Sequence, residues 1–148
     1  MPNLQIERLT PADRAVFLEM SRAFYNSNAV LAPVPEVYHE RAFAECMRSD
    51  DYLVGYLLRV EGEPAGYALL NRTWSREAGG PVVWVEELSV LPAYRGQGIG
   101  RAFFAFLEQH HPAARYRLET EPENERARQL YERLGYTVLP YLQMIKDT

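Results

Sequence analysis

Three glycines stand at alternate positions, Gly96, Gly98 and Gly100, with Arg95 before them and Arg101 after. Glycine costs a helix about 1 kcal/mol per residue relative to alanine. Yet an apolar helix pattern begins here, with Ile99, Phe103, Phe106 and Leu107 at i, i+4, i+7 and i+8. What glycine offers instead is a sharp turn and close approach of a ligand to backbone N–H groups. A helix N-terminus adds unpaired N–H donors and partial positive charge. Together these make a seat for phosphate, and the two arginines can add charge-assisted hydrogen bonds. The seat is not a Walker P-loop, because Gly100 is followed by Arg101-Ala102 rather than Lys-Ser/Thr. Nor is it a dinucleotide fingerprint, since a third glycine counted from Gly96 would fall at Arg101.

A second group of residues could move protons. Glu86 and Glu87 are adjacent within the apolar run Val82-Val83-Trp84-Val85 to Leu88. Their side chains should point to opposite faces of a regular strand. Carboxylates are unusual inside a buried strand, because burying an unpaired charge is costly. One reading opens the strand and leaves both in water. A β-bulge would change which of them faces a cleft. Other reactive residues carry less. Cys46 is the single cysteine, which excludes a disulfide framework and a cysteine-rich metal site. His110 and His111 fall at a helix C-terminus, where they answer the dipole. His39 reads as a surface residue, and no metal constellation is present.

These residues need elements to hold them. Leu4 to Leu9 alternates apolar and polar and predicts a strand. Thr10, Pro11 and Asp13 form the start of a helix that runs to about Tyr25. Asn26 to Pro35 is a loop, and a second helix covers Pro35 to Met47. Tyr52 to Val60 and Pro64 to Asn71 predict a hairpin turning at Glu61-Gly62-Glu63. Thr73 to Pro81 reads as a loop and Val82 to Leu91 as a long strand. The glycine-led helix follows, then a strand at Tyr116 to Thr120. Asn124 caps a last helix along Ala127, Leu130 and Leu134, which Gly135 ends. Thr137 to Leu139 and Tyr141 to Ile145 are expected as closing strands, split by Pro140. The order predicts an α/β (α+β) fold: one mixed, mostly antiparallel sheet of about 7 strands, flanked by about 4 helices.

Composition agrees with a single domain over residues 1–148, 47% hydrophobic and 24% charged. The net charge of −4 disfavours nonspecific nucleic-acid binding. No apolar run approaches a membrane span, and no leader pattern precedes the first strand. The expectation is a soluble cytoplasmic protein, a monomer or homodimer. The Asn71-Arg72-Thr73 sequon reads as chance.

Arg95-Gly96-Gln97-Gly98-Ile99-Gly100 matches the R-x-x-G-x-G signature of the GNAT acyltransferase superfamily. Leu88-Ser89-Val90-Leu91-Pro92 resembles the end of that family's fourth strand. Asn124 and the run Ala127 to Tyr136 resemble its later N…A-x-x-x-Y-x-x-x-G-F/Y pattern. The resemblance is close from Val82 to Tyr136, and earlier residues match only in the order of elements. It implies an N-acetyltransferase that uses acetyl-coenzyme A as co-substrate, without a metal. Leu88, Ser89 and Val90 would pair through the backbone with the pantetheine arm. Arg95 through Arg101, Gln97 and Ile99 included, would cradle the pyrophosphate, and Asn124 would hold the arm near the thioester.

The chemistry so implied sets three needs. The amine must lose a proton, and a lysine-like amine has a reference pKa of about 10.4. A developing oxyanion needs a donor, for which the Val90 N–H is the candidate. The departing thiolate needs a proton, and the resemblance assigns that to Tyr131. Glu86, four residues before Val90, sits where family members carry a base, with Glu87 the alternative on a bulged strand. The acceptor pocket would draw on Phe24, Tyr25, Asn26, Ser27, Tyr38, Trp74, Trp84 and Tyr141. Aromatics beside a carboxylate suit a cationic amine of a small molecule or peptide. A coenzyme A-binding sensor without turnover is the second function class.

Overall fold

A computed structural model describes residues 3–148. The chain folds as β1 (Leu4–Arg8), α1 (Arg14–Tyr25), α2 (Glu36–Arg48), β2 (Val54–Val60), β3 (Glu63–Ser75), β4 (Gly80–Val90), α3 (Ile99–His110), β5 (Arg115–Leu118) and α4 (Glu125–Arg133). A short 3-10 turn at Pro11–Asp13 leads into α1, and another at Pro92–Tyr94 leads into the glycine turn. The sheet order is β1-β2-β3-β4-β5. The first four strands pair antiparallel, and β5 joins β4 in parallel after the α3 crossover.

Apolar spacing decides which helix covers which face. Phe17, Leu18 and Met20 of α1 and Phe43 and Cys46 of α2 pack on Leu57, Tyr67 and Leu69. Ile99, Phe103, Phe104 and Leu107 of α3 pack on the opposite face against Leu58, Ala68, Leu70, Val83 and Val85. α4 packs against the start of α3, where a Cβ on Gly100 would stand in ordinary contact, 3.7 Å from Leu130 Cδ2. The start of α1 is fixed as its sequence predicts: the Thr10 N–H and hydroxyl both donate to Asp13 Oδ2, at 2.9 and 3.1 Å. Asp13 is also paired with Arg59 at 3.2 Å, which ties the helix start to β2.

Two expectations about strands are corrected. The sheet has five strands among the described residues, not about seven. Residues after Gly135 join no ladder, although Thr137 to Leu139 and Tyr141 to Ile145 alternate as strands do. Side chains instead hold this segment beside the sheet: Tyr141 Oη donates to Glu77, and Gln143 Nε2 to Glu119 Oε2 at 2.7 Å. Pro140 lacks the N–H a ladder needs. The loop expected over Thr73 to Pro81 is also largely strand. Cross-strand pairs from Arg72↔Val83 to Ser75↔Gly80 extend the hairpin to a turn at residues 76–79. Pairing there overrides the polar, glycine-rich local signal.

Candidate active site

The site opens where two strands part. β4 and β5 pair only from Val82↔Arg115 to Val85↔Leu118, yet β4 continues to Val90. The Leu91 N–H donates to the Ala65 carbonyl at 2.8 Å. Antiparallel alternation then turns the N–H and C=O of Val90 and Leu88 away from β3, toward the gap. This is a strand edge ready to pair with an extended amide-bearing ligand. Arg95 Nε donates to the Val90 carbonyl at 2.9 Å, which marks the same direction. Ser89, one residue off, faces its ladder with Tyr67.

At the far end of this edge lies the glycine turn. Gly96 has φ +78° and Gly98 φ +81°, the left-handed region where a Cβ is strained. A Cβ at either position would meet nothing within 4 Å. The turn is therefore an open cradle rather than a packed corner, and a side chain would fill the space in front of it. Gly98 caps α3, leaving the helix's first N–H groups pointing outward. Ile99 is buried in the core and anchors the turn. Gln97 is exposed, its amide 3.5 Å from the Ala93 carbonyl. Arg101 stands in the first turn of α3, behind the glycine turn. It lines a larger hollow of about 870 Å³ between α3, β5, α4 and the C-terminal segment, which Arg128 also borders.

The gap between β4 and β5 widens into a cavity of about 320 Å³. Glu86, Glu87, Leu88, Asn124 and Tyr131 all border it. Asn124 spends its Oδ1 on the helix, accepting from the Ala127 N–H at 3.3 Å, which leaves its amide NH₂ for the cavity. Tyr131 packs its ring edge-on against Phe104, centroids 5.7 Å apart. Burial raises its pKa above the usual phenol value, so the hydroxyl keeps its proton at neutral pH and can donate it.

The two glutamates are sorted by a bulge. Leu69 pairs with Glu87 but Leu70 with Val85, so Glu86 is an extra residue in β4. Val85 and Leu88 consequently share the α3 face, and Glu87 turns toward α1. The expectation of opposite faces is corrected: both carboxylates border one cavity. Glu86 is exposed and accepts from Asn71 Nδ2 at 2.8 Å. Glu87 is only 9% exposed. Its Oε1 accepts from Tyr67 Oη at 2.6 Å and its Oε2 from Tyr25 Oη at 2.9 Å. Burial raises its pKa above the ordinary carboxylate range, against the pull of the two phenol hydrogen bonds; the Glu86 charge also raises it.

Of the expected acceptor-side aromatics, Phe24 borders the cavity and Tyr25 reaches Glu87. Tyr38 and Trp74 are exposed, Tyr141 is tied to Glu77, and Trp84 stacks with Arg117 at 4.2 Å. Sequence alone does not single out Tyr67, although a phenol in a buried strand must find a partner. His39 is corrected from surface to buried: it is 5% exposed, between α1 and α2. Its Nδ1 lies 2.6 Å from Ser21 Oγ. His111 is likewise buried, held by Tyr56 Oη at 2.7 Å. The Cys46 thiol is buried in the core and its pKa is pushed up to about 11, which leaves it unreactive.

Comparison with known proteins fits this geometry. The model of the acetyltransferase (GNAT) family matches residues 16–136. The chain belongs to the GNAT family. It is 30% identical over 110 residues to the thialysine N-epsilon-acetyltransferase of Sus scrofa, a match covering 62% of each chain. Among solved structures, a possible acetyltransferase from Clostridium difficile 630 superposes with a TM-score of 0.81 at 15% identity, covering 98% of this chain and 97% of that one. The aminoglycoside acetyltransferase AAC(6')-Iy, in complex with the bisubstrate analog CoA-S-monomethyl-acetylneamine, superposes with a TM-score of 0.79 at 17% identity, covering 99% of each. The two solved structures share the fold of this GNAT chain, whose described residues form a five-stranded, mostly antiparallel sheet with four helices. No helix among the described residues is long and apolar enough to cross a membrane, and no group of metal-ligating side chains is found among them.

Proposed function

We propose that this chain is an N-acetyltransferase that moves an acetyl group from acetyl-coenzyme A to a primary amine, by direct transfer in a ternary complex. The observation that carries the reading is the parting of β4 and β5, with an unpaired strand edge, an open glycine turn at one end and a carboxylate pair at the other. Acetyl-coenzyme A supplies the activated acyl carbon and a thiolate leaving group. Leu88 to Val90 hold its arm by backbone pairing, and the N–H groups from Gly96 to Gly100, with Arg95, hold its pyrophosphate. The Val90 N–H, free on the cleft side, donates to the oxygen on which negative charge grows. Asn124 uses its free amide NH₂ to keep the arm beside Tyr131. Tyr131, neutral in its buried site, gives its proton to the departing sulfur.

In this reading the base is Glu87 rather than the expected Glu86, a choice supported by the bulge and by the hydrogen bonds Glu87 accepts from Tyr67 and Tyr25. Burial raises the Glu87 pKa, the direction that strengthens a carboxylate as a proton acceptor. Glu86 serves as a fixed negative charge that draws the acceptor in and keeps the Glu87 pKa up. Glu119 and Glu121 border the same cavity, and among the described residues no lysine or arginine does. The acceptor is therefore an amine on a cationic small molecule or peptide. The thialysine-acting relative and the aminoglycoside-derived ligand of the solved neighbour support this class.

The test is a panel of amines incubated with acetyl-coenzyme A and read by release of free thiol. Thiol release that rises with cationic amines supports the assignment. Tight coenzyme A binding with no release across the panel would leave the sensor reading instead. Two substitutions refine it. Tyr131→Phe keeps the ring and removes the hydroxyl. Turnover is expected to fall by at least about 10²-fold, with acetyl-coenzyme A affinity nearly unchanged by calorimetry. Glu86→Gln is expected to raise KM for a dicationic acceptor several-fold and to change kcat little. A kcat loss larger than the KM change would reject the division of labour between the two glutamates.

A further inference from the structure

Two phenols converge on Glu87 from different elements, and amine activation at the cleft does not by itself account for them. Tyr67 on β3 stands two residues from Leu69, the ladder partner of Glu87, so alternation places Tyr67 and Glu87 on the same face, toward α1. Its Oη donates to Glu87 Oε1 at 2.6 Å. Tyr25 is the last residue of α1, and its Oη donates to Glu87 Oε2 at 2.9 Å. Each ring is held by aromatic neighbours. Tyr67 is fully buried, edge-on to Phe17 at 5.1 Å and to Phe24 at 6.1 Å. Tyr25 is half-buried between Phe24 at 5.5 Å and His39 at 5.4 Å. The hydroxyls therefore stand at fixed points, one on each carboxylate oxygen. Burial first, and then the Glu87 charge, raise the pKa of both phenols well above the usual value, so both keep their protons and act as donors. The other titratable groups around Glu87 are Glu86 beside it on β4, Cys46 on α2, and Glu119, Glu121 and Tyr131 across the cavity.

We propose that Tyr25 and Tyr67 are positioning residues of the acetyl transfer, whose hydroxyls hold the Glu87 carboxylate ionised and aimed at the acceptor's amine. The inference rests on Glu87 being the base. An ionised carboxylate only accepts hydrogen bonds, and two phenol donors, one per oxygen, match that form. Hydrogen bonds to a charged group are stronger than bonds to a neutral one, so the pair favours the carboxylate over the acid. Burial favours the acid. The two phenols thus keep a buried base free to accept at a pH where burial alone would leave it already protonated. Aim follows from the same contacts. Glutamate has a long, flexible side chain, and two fixed donors remove that freedom. The lone pairs they leave unused serve the cavity that Glu87 borders. In the step itself an ammonium N–H bond breaks, its electron pair stays on nitrogen, and the proton goes to a Glu87 oxygen. Neither phenol gives up its own proton, and in this scheme neither touches acceptor or cofactor.

The experiment titrates the Glu87 carboxyl by carboxyl-carbon NMR in isotope-labelled protein, its signal assigned by its loss in Glu87→Gln. Tyr25→Phe keeps the ring and its packing and removes one donor. The Glu87 midpoint is expected to rise by about one pH unit, since a hydrogen bond to a charged group contributes about that much. Tyr67→Phe should move it the same way, and the double variant further than either. The acid limb of kcat, measured at saturating acetyl-coenzyme A and acceptor, should move up by the same amount. A merely structural role would lower Tm and leave midpoint and limb in place, and that result overturns the proposal. A midpoint that falls overturns it as well. If Tyr67→Phe does not fold, Tyr25→Phe, at a half-buried helix end, decides the same question alone. Glu87→Gln separates the layers. A wild-type acid limb in that variant refutes the base itself, whereas a lost limb there beside an unmoved midpoint in Tyr25→Phe refutes the positioning pair alone. Adding Tyr25→Phe to Glu87→Gln should leave the pH profile unchanged, because no carboxylate remains to be held, and a further shift there counts against the pair.

Discussion

Gly98→Asp is expected to abolish acetyl-coenzyme A binding, a loss of at least 100-fold by calorimetry, while the protein stays folded. Gly98 has φ +81° and no heavy atom within 4 Å of where a Cβ would stand. The new side chain therefore extends into the cradle rather than into the core. Aspartate tolerates the left-handed region better than most residues, so the backbone survives the change. The carboxylate then occupies the seat proposed for the pyrophosphate. At about 4 Å and an effective dielectric of 20, each like-charge pair costs about 4 kcal/mol, against about 2.7 kcal/mol for a 100-fold change in affinity. Gly62→Asp is the matched control. Gly62 has φ +82° and is equally open, but it lies in the β2–β3 turn. It should bear the same substitution with normal affinity. Equal affinity in Gly98→Asp and wild type would remove the glycine turn from the binding site.

Glu87→Gln is expected to slow acetyl transfer by about 10²–10⁴-fold at the acid end of the working range. The loss should shrink as pH approaches the pKa of the acceptor amine, because free amine needs no base. The wild-type acid limb should lie above the ordinary carboxylate range, since burial, the largest cause, raises the Glu87 pKa. The same shift has a stability side. A carboxyl whose folded pKa is raised favours folding below its unfolded pKa, about 4.3. That contribution is lost as pH rises through the higher folded value. Wild-type Tm should therefore fall relative to Glu87→Gln over that interval and stay lower above it. Rate loss with the same pH signature in Glu86→Gln, and a normal Glu87→Gln, would return the role to Glu86. If neither variant shows it, the pair serves only to attract a cationic acceptor.

Much of this molecule is legible in one dimension. The Arg95 to Gly100 run specifies a turn before a helix, because alternate glycines permit left-handed φ values and the apolar period that follows is helical. Asn124 and Gly135 bracket α4 by local capping chemistry. The order of elements through α4, and the buried faces of α1 and α3, are legible in apolar spacing. Each of these depends on interactions between residues a few positions apart, so sequence carries the information directly.

Other features depend on partners far along the chain. A bulge is a relation between two strands, so no local signal at Glu86 or Glu87 reveals that both carboxylates border one cavity. The hairpin that replaces the expected Thr73 to Pro81 loop exists because β3 and β4 pair beyond their apolar parts. The segment after Gly135 alternates like a strand but finds no ladder partner, since alternation describes a face and pairing requires an edge in register. His39 reads as a surface residue because Glu36, Glu40 and Arg41 surround it in sequence. Its burial against Ser21 is set by the docking of α1 on α2, and Tyr67 meets Glu87 only because β3 lies beside β4. Short-range pattern is thus enough to specify an open glycine turn ahead of a helix on a GNAT scaffold. Where each of the two carboxylates lies is decided by three-dimensional packing, because a buried carboxylate is placed by contacts that no short stretch of chain contains.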